Sequence, residues 1–217
     1  MDEIEVVDQV LQTTRSVRRR IDFSRPIAPE VIEACIACAV QAPTGLSREA
    51  WRFVVVTEPG PKSHLAGLYR SAFDELTEHT LEALRRAGQP VPPLRPTYRQ
   101  LADRLQDFPA LILVCSLGRP DPDVARQIAF YGSVLPAAWS LMLALRARGI
   151  GATWTTLLAQ REREASQLLG IPSDVTPTVL LPAGYLQGAT LRPAQRRGPA
   201  EVTYWNGWGQ PRGGDPR

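Results

Sequence analysis

Between Arg126 and Arg146 the chain carries no charged side chain, and the interval holds Ile128, Phe130, Leu135, Trp139, Leu141, Met142, Leu143 and Leu145. A helix that is apolar on every face has to be buried. At about 1.5 Å of rise per residue it is roughly 30 Å long, so it either threads a core or packs against a second copy of itself. A run of about 18 or more apolar residues is also the mark of a membrane span. Here Tyr131, Gly132, Ser133, Pro136 and Ser140 interrupt the run and the sequence offers no second span, so the reading is a core helix and no membrane. Gly149 to Thr155 follow, where a helix stops at glycine and small and β-branched residues begin a strand, an arrangement that places backbone amides at the edge of the core.

A chain of 217 residues supports one sizeable core, and the expectation is a single domain over 1–217. Its 44% hydrophobic and 22% charged residues are ordinary for a soluble globular protein. The net charge of +3 comes almost wholly from arginine, because Lys62 is the only lysine. Arginine's planar fork suits phosphate and carboxylate, which favours a phosphorylated ligand. The arginines are dispersed rather than aligned with aromatics on one helix, and no recognition motif occurs, so no nucleic acid is expected as partner.

Cys35, Cys38 and Cys115 are odd in number, and the N-terminus is acidic and polar rather than basic and then apolar. That pattern points to a cytoplasmic protein with reduced thiols. Cys35 and Cys38 lie in the helical pattern Pro29 to Val40 with Ile32, Ile36 and Ala39, where small buried cysteines are common. No second CxxC or histidine pair accompanies them, so no metal site is expected.

Taken in order, Ile4 to Leu11 reads as a short amphipathic helix. Arg15, Ser16, Val17, Arg18, Arg19 and Arg20 follow and lead into the turn Asp22 to Pro26, so arginines and a hydroxyl converge from a constrained loop, as a phosphate requires. A helix runs from Pro29 to Gln41, broken by Ala42, Pro43, Thr44 and Gly45; Pro43 to Ala50 is a turn-rich loop of the kind that carries binding residues; Trp51 to Thr57 alternates as a strand. Two polar helices, Lys62 to Gly88 and Tyr98 to Gln106, are joined by a linker with four prolines, Gln89 to Pro96. This hairpin, about 62–108, reads as a lid or peripheral flap. Ala110 to Ser116 is an apolar run expected to be a central strand. Beyond the long helix come a strand near Ala152 to Leu157, a helix from Arg161 to Leu169, a strand from Thr178 to Tyr185, and an arm, about 188–217, whose Tyr204, Trp205 and Trp208 are expected to dock on something.

Several chemistries are excluded. Gly149 and Gly151 begin a GxG, but Trp154 fills the third glycine position, so the dinucleotide fingerprint fails. No Walker A lysine, HExxH or GxSxG elbow occurs. His64 and His79 are the only histidines, both in the polar helix, so a nucleophile triad lacks its base. Side-chain acid/base catalysis is thus unsupported, no catalytic side chain is assigned, and an enzyme built this way has a bound cofactor carry the reaction.

Four features in order resemble the FMN-dependent nitroreductase family: an RSxR-like element (Arg15, Ser16, Arg18), an APT-to-Trp loop (Ala42 to Trp51) leading into a strand, a GxGxxW segment after a long apolar helix, and a late strand with proline, glycine and tyrosine followed by arginines. The resemblance implies an α+β fold, a three-layer sandwich with an antiparallel central sheet flanked by helices, in an intertwined homodimer with FMN at the subunit interface. It implies that Arg15, Ser16 and Arg18 bind the phosphate, with Arg196 or Arg197 as a C-terminal basic ligand. Pro43, Thr44 and Ser47 match the loop beside the isoalloxazine, and Gly151, Ala152 and Thr153 match the segment facing the flavin edge. Thr14 stands where the family often has a further arginine, and Ser47, Arg48, Glu49 and Ala50 replace most of its common NxQPW; Arg48 or Arg52 is placed to neutralise Glu49. The implied function is an FMN-dependent oxidoreductase in which NAD(P)H and an electron-poor small molecule, a nitroaromatic or quinone, react by turns. The alternatives are a specialised dehydrogenase or dehalogenase of the same fold, or a flavin-binding protein without efficient turnover.

Overall fold

The computed structural model describes residues 2–45, 49–91, 96–188 and 191–213. They form two compact units: the chain ends, 1–13 with 190–217, and a body, 14–189. In the first unit, α1 (Glu3–Thr13) is opened by a reciprocal cap in which the Glu5 amide donates to Asp2 Oδ1 at 2.8 Å and the Asp2 amide to Glu5 Oε2 at 3.2 Å, satisfying amides that the first turn leaves unpaired. The C-terminal part has one helical turn, Pro199–Val202, and a tilted Tyr204–Trp208 ring pair at 4.8 Å. Trp208 is 91% exposed.

The body runs β1 (Ile21–Asp22), α2 (Pro29–Ala39), β2 (Trp51–Val56), α3 (Pro59–Arg86), α4 (Pro96–Arg104), β3 (Ala110–Leu117), α5 (Val124–Gly132), α6 (Leu135–Ala147), β4 (Ile150–Ala152), α7 (Glu162–Leu169) and β5 (Val175–Leu186). Every pairing between these strands is antiparallel: β3 lies between β2 and β5, while β1 and β4 pair with the far end of β5. The apolar run of β3 is central, as its composition requires, and buried at every position except Leu117. Side chains alternate between faces with period two. Ala110, Ile112 and Val114 join Val179, Leu181 and Ala183 in a core with Ile32, Cys35 and Ala39 of α2 and Ala138, Leu141 and Leu145 of α6. Leu113 and Leu180 face the other way, toward Leu158 and toward Ala165 of α7. Helices therefore cover both faces.

The long apolar interval differs from its expectation. It divides at Ser133 and Val134 into two helices, because Pro136 in the first turn of α6 has no amide to donate and its ring clashes with the carbonyl four residues back. Only α6 is inserted in the core, burying Ala137, Ala138, Leu141, Met142, Ala144 and Leu145. In α5 no residue is buried, and Val124 and Ile128 are each 69% exposed. Residues 124–147 together have the length and composition of a membrane span, yet the break and the burial of α6 are those of a core element.

The hairpin is also less peripheral than its polarity implies. Leu65, Ala66, Tyr69, Ala72 and Phe73 of α3 and Leu101 and Ala102 of α4 are buried, and the α3 surface beyond Asp74 is mostly exposed. The strand expected from Thr178 begins at Val175 instead: Pro177 is accommodated opposite the β-bulge between Val114 and Cys115, where a missing donor costs the ladder nothing.

Gly184 fixes how closely β1 crosses this sheet. A Cβ there would stand 2.5 Å from Ile21 Cγ2 and 3.0 Å from Pro109 Cδ. Gly184→Ala is expected to destabilise the protein by about 1 to 3 kcal/mol through overpacking, seen as a lower urea midpoint at unchanged slope.

Candidate cofactor site

The loop before β1 is stitched to the segment after α6. The Val17 amide donates to the Ala152 carbonyl at 2.9 Å, Thr153 Oγ1 to the Val17 carbonyl at 2.7 Å, and the Trp154 amide to Ser16 Oγ at 3.0 Å. Arg15, Ser16 and Arg18 thus share one ledge with Gly151, Ala152 and Thr153. The ledge is tight because Gly151 has no side chain: a Cβ would meet Leu186 Cδ2 at 2.7 Å and Val17 Cβ at 3.2 Å. Arg20 closes the loop in the left-handed region (φ 58°), with its carbonyl accepting the Gln187 amide at 2.7 Å.

The amides expected at this edge are engaged. Thr153 donates to the Pro182 carbonyl at 3.0 Å and Thr155 to the Leu180 carbonyl at 3.1 Å, because buried backbone donors must be paired. The unengaged groups are guanidinium nitrogens. Arg15 Nε and Nη2 and Arg18 Nε are all buried and have no hydrogen-bond partner among the described residues. A buried donor without a partner costs about 1 to 3 kcal/mol, more on a charged group, so this arrangement calls for an anion. Ser16 Oγ accepts from Trp154, which leaves its own proton to donate to the same ligand. These donors fit a phosphate.

Two tyrosines that sequence reasoning missed stand beside Arg18. Its guanidinium carbon lies 4.8 Å from the centre of the Tyr98 ring. The hydroxyls of Tyr69, which is buried, and Thr155 are 2.9 Å apart. Burial pushes the Tyr69 phenol up, while the Thr155 hydrogen bond and the charge of Arg18 oppose that rise. The spacing of Tyr69 with Leu65, Ala66, Ala72 and Phe73 marks an inward helix face; nothing in the sequence marks Tyr98.

The loop after α2 sits elsewhere. Pro43 is exposed and Thr44 half-buried, while Ser47 and Arg48 lie outside the described residues. The Gly45 amide donates to Ser133 Oγ at 3.1 Å, and that hydroxyl donates to the Ala129 carbonyl at 2.7 Å. Arg52 directs its guanidinium to the carbonyls of Glu49 and Trp51. Ser133 precedes the first residue of α6 and Gly151 follows its end. The 13 residues of α6, a helix about 20 Å long, stand between them in the chain. Ser133→Ala is expected to loosen this loop at a cost of about 0.5 to 1.5 kcal/mol, read as faster amide exchange at Gly45. Arg196 and Arg197 belong to the unit of chain ends, where both are exposed.

Cysteine chemistry has no support here. Burial pushes the Cys115 thiol up to about 12 and raises Cys35, and all three cysteines are free. Among the described residues no three His, Cys, Asp or Glu side chains converge on a metal position.

Comparison with known proteins agrees with this architecture. The model of the nitroreductase family matches residues 11–185, and the chain belongs to that family. Iodotyrosine deiodinase 1 of Rattus norvegicus is 31% identical over 205 residues, 90% of this chain and 69% of that protein. The chain spans 61% to 69% of the length of the animal deiodinases it matches. A putative NADH dehydrogenase/NAD(P)H nitroreductase of Methanothermobacter thermautotrophicus is 24% identical, over 85% of this chain and 78% of that one. Among solved structures, oxidized iodotyrosine deiodinase bound to FMN and 3-iodo-L-tyrosine superposes with a TM-score of 0.66 at 21% identity, covering 90% of this chain and 98% of that chain.

Proposed function

We propose that the chain is an FMN-dependent oxidoreductase that uses NAD(P)H to reduce an electron-poor small molecule. The observation that carries this reading is the set of buried, unpartnered guanidinium nitrogens on Arg15 and Arg18. When bound, FMN would supply two-electron redox chemistry between a nicotinamide and the acceptor. The chain's own residues bind and orient. Arg15, Ser16 and Arg18 would hold the phosphate, and Gly151, Ala152 and Thr153 would form the ledge beside the cofactor. Pro43 and Thr44 belong to the loop that would lie beside the ring, and Ser47, outside the described residues, is assigned to it from the sequence.

The loop is tied to Ser133 before the start of α6, whereas the ledge follows the end of that helix; this supports a homodimer in which the loop of one protomer completes the site of its partner. The apolar surface of α5 and the pair Trp139 and Leu143, at i and i+4 on the outer side of α6, supply the seam; Trp139 is 38% exposed in the single chain. The free cysteines fit a reducing cytoplasm.

A second reading is reductive dehalogenation of a small aromatic substrate, favoured by the relatedness to iodotyrosine deiodinases. Anaerobic stopped-flow mixing of the FMN-loaded protein with NADH or NADPH tests the shared core of both readings. Bleaching of the flavin within the first minutes, then its return on adding a nitroaromatic or a quinone, is the expected result; return with an iodotyrosine alone selects the second reading. No bleaching with either nicotinamide leaves a flavin-binding protein without turnover.

A further inference from the structure

We propose that Tyr98 is a positioning residue that holds the guanidinium of Arg18 for its anion and couples α4 to occupancy of the site. This rests on the reading that Arg18 binds the FMN phosphate. Arg18 has one nitrogen, Nε, buried and without a partner among the described residues, and a long arginine side chain loses much rotamer freedom when fixed there. The ring of Tyr98, 4.8 Å from the guanidinium carbon, restricts the plane of the group while occupying none of its donors, since a stacked guanidinium binds through its edge. Tyr98 itself is 40% exposed, so burial fixes it only in part and the Arg18 contact adds to its anchorage.

The helix that carries it is held from the other side. Arg99 pairs with Asp74 of α3 and, at 2.7 Å, with Asp103 of its own helix. Arg70 of α3 donates to Gln106 at 3.3 Å. Tyr69, next to Arg70 on α3, bonds Thr155, which follows the segment clamped to Ser16. The first turn of α4 therefore docks, through Tyr98, on the Arg18 side chain. An anion that fixes Arg18 also fixes the stacking partner of Tyr98, and by thermodynamic reciprocity a docked α4 strengthens anion binding.

The test compares wild type, Tyr98→Phe and Tyr98→Leu as full chains, measuring FMN affinity by quenching of flavin fluorescence and hydrogen exchange over residues 97–104 with and without FMN. The expected result is that Tyr98→Leu weakens FMN binding on the order of fivefold, as for a partly exposed cation–π contact, and Tyr98→Phe retains wild-type affinity. FMN slows exchange over 97–104 in wild type and Tyr98→Phe and fails to do so in Tyr98→Leu. Wild-type affinity in Tyr98→Leu, in a protein where Arg18→Ala does weaken FMN, overturns the positioning role and leaves the cofactor site standing. Wild type that does not take up FMN at all overturns both.

Discussion

Trp139→Glu and Leu143→Glu are expected to give protein that is flavin-free, and for Leu143→Glu largely insoluble. Both residues lie on the outer stripe of α6, where one chain leaves Trp139 38% exposed and Leu143 half-buried. A two-fold contact repeats each residue across its axis, so one introduced carboxylate becomes two facing like charges in a desolvated seam. An uncompensated buried charge costs about 3 to 5 kcal/mol, a large part of the stability of a domain this size. Trp139→Glu is the more selective variant, because in an isolated chain that position tolerates a charge; its product is a folded monomer without flavin. Glu82→Gln is the control. Glu82 pairs with Arg86 at 3.0 Å on the exposed part of α3, a contact that contributes less than about 0.5 kcal/mol, so assembly and flavin content stay unchanged. Sedimentation and the flavin-to-protein ratio decide the matter, and a dimeric, flavin-loaded Trp139→Glu would remove the seam from α6.

Arg18→Ala is expected to weaken FMN binding by about 1.5 to 3 kcal/mol, the usual worth of a hydrogen bond to a charged group. Arg15→Ala is expected to weaken it by a similar amount. Their combined loss departs from the sum, since both donate to one anion from one loop. The variants also relieve the cost of a buried guanidinium without a partner, so the apo proteins melt no lower than wild type while the FMN-dependent rise in melting temperature shrinks. Riboflavin, which lacks the phosphate, discriminates less between variant and wild type. Unchanged FMN affinity in a folded Arg18→Ala would reduce Arg18 to a basic surface residue.

The sequence made the layers legible where periodicity is strong. The unbroken apolar run of β3 announced a central strand, and Pro29 and the glycine after α6 set helix boundaries. Legibility ended where one residue had two competing effects. Pro136 is both an acceptable first-turn residue and an interruption, and it divided a helix that hydropathy alone makes continuous. The amides of Thr153, Trp154 and Thr155 looked available because nothing local shows that β5 and Ser16 take them. The ledge itself was legible as two motifs, Arg15 to Arg18 and Gly151 to Thr153, yet the hydrogen bonds joining them span more than a hundred residues and leave no local pattern. Tyr98 was illegible for the same reason: an exposed aromatic at the start of a polar helix has many ordinary explanations. Ser133 was read only as a break in the apolar run, and its hydroxyl became meaningful once Gly45 was found against it.

The claim that an FMN site is completed by two chains is tested most directly by gel filtration with light scattering, with visible flavin absorbance recorded on the same eluting peak after incubation with FMN. The account predicts one yellow species of twice the 23.9 kDa chain mass, with one flavin per chain. A colourless peak contradicts the cofactor, and a yellow peak at the mass of a single chain contradicts the two-chain site.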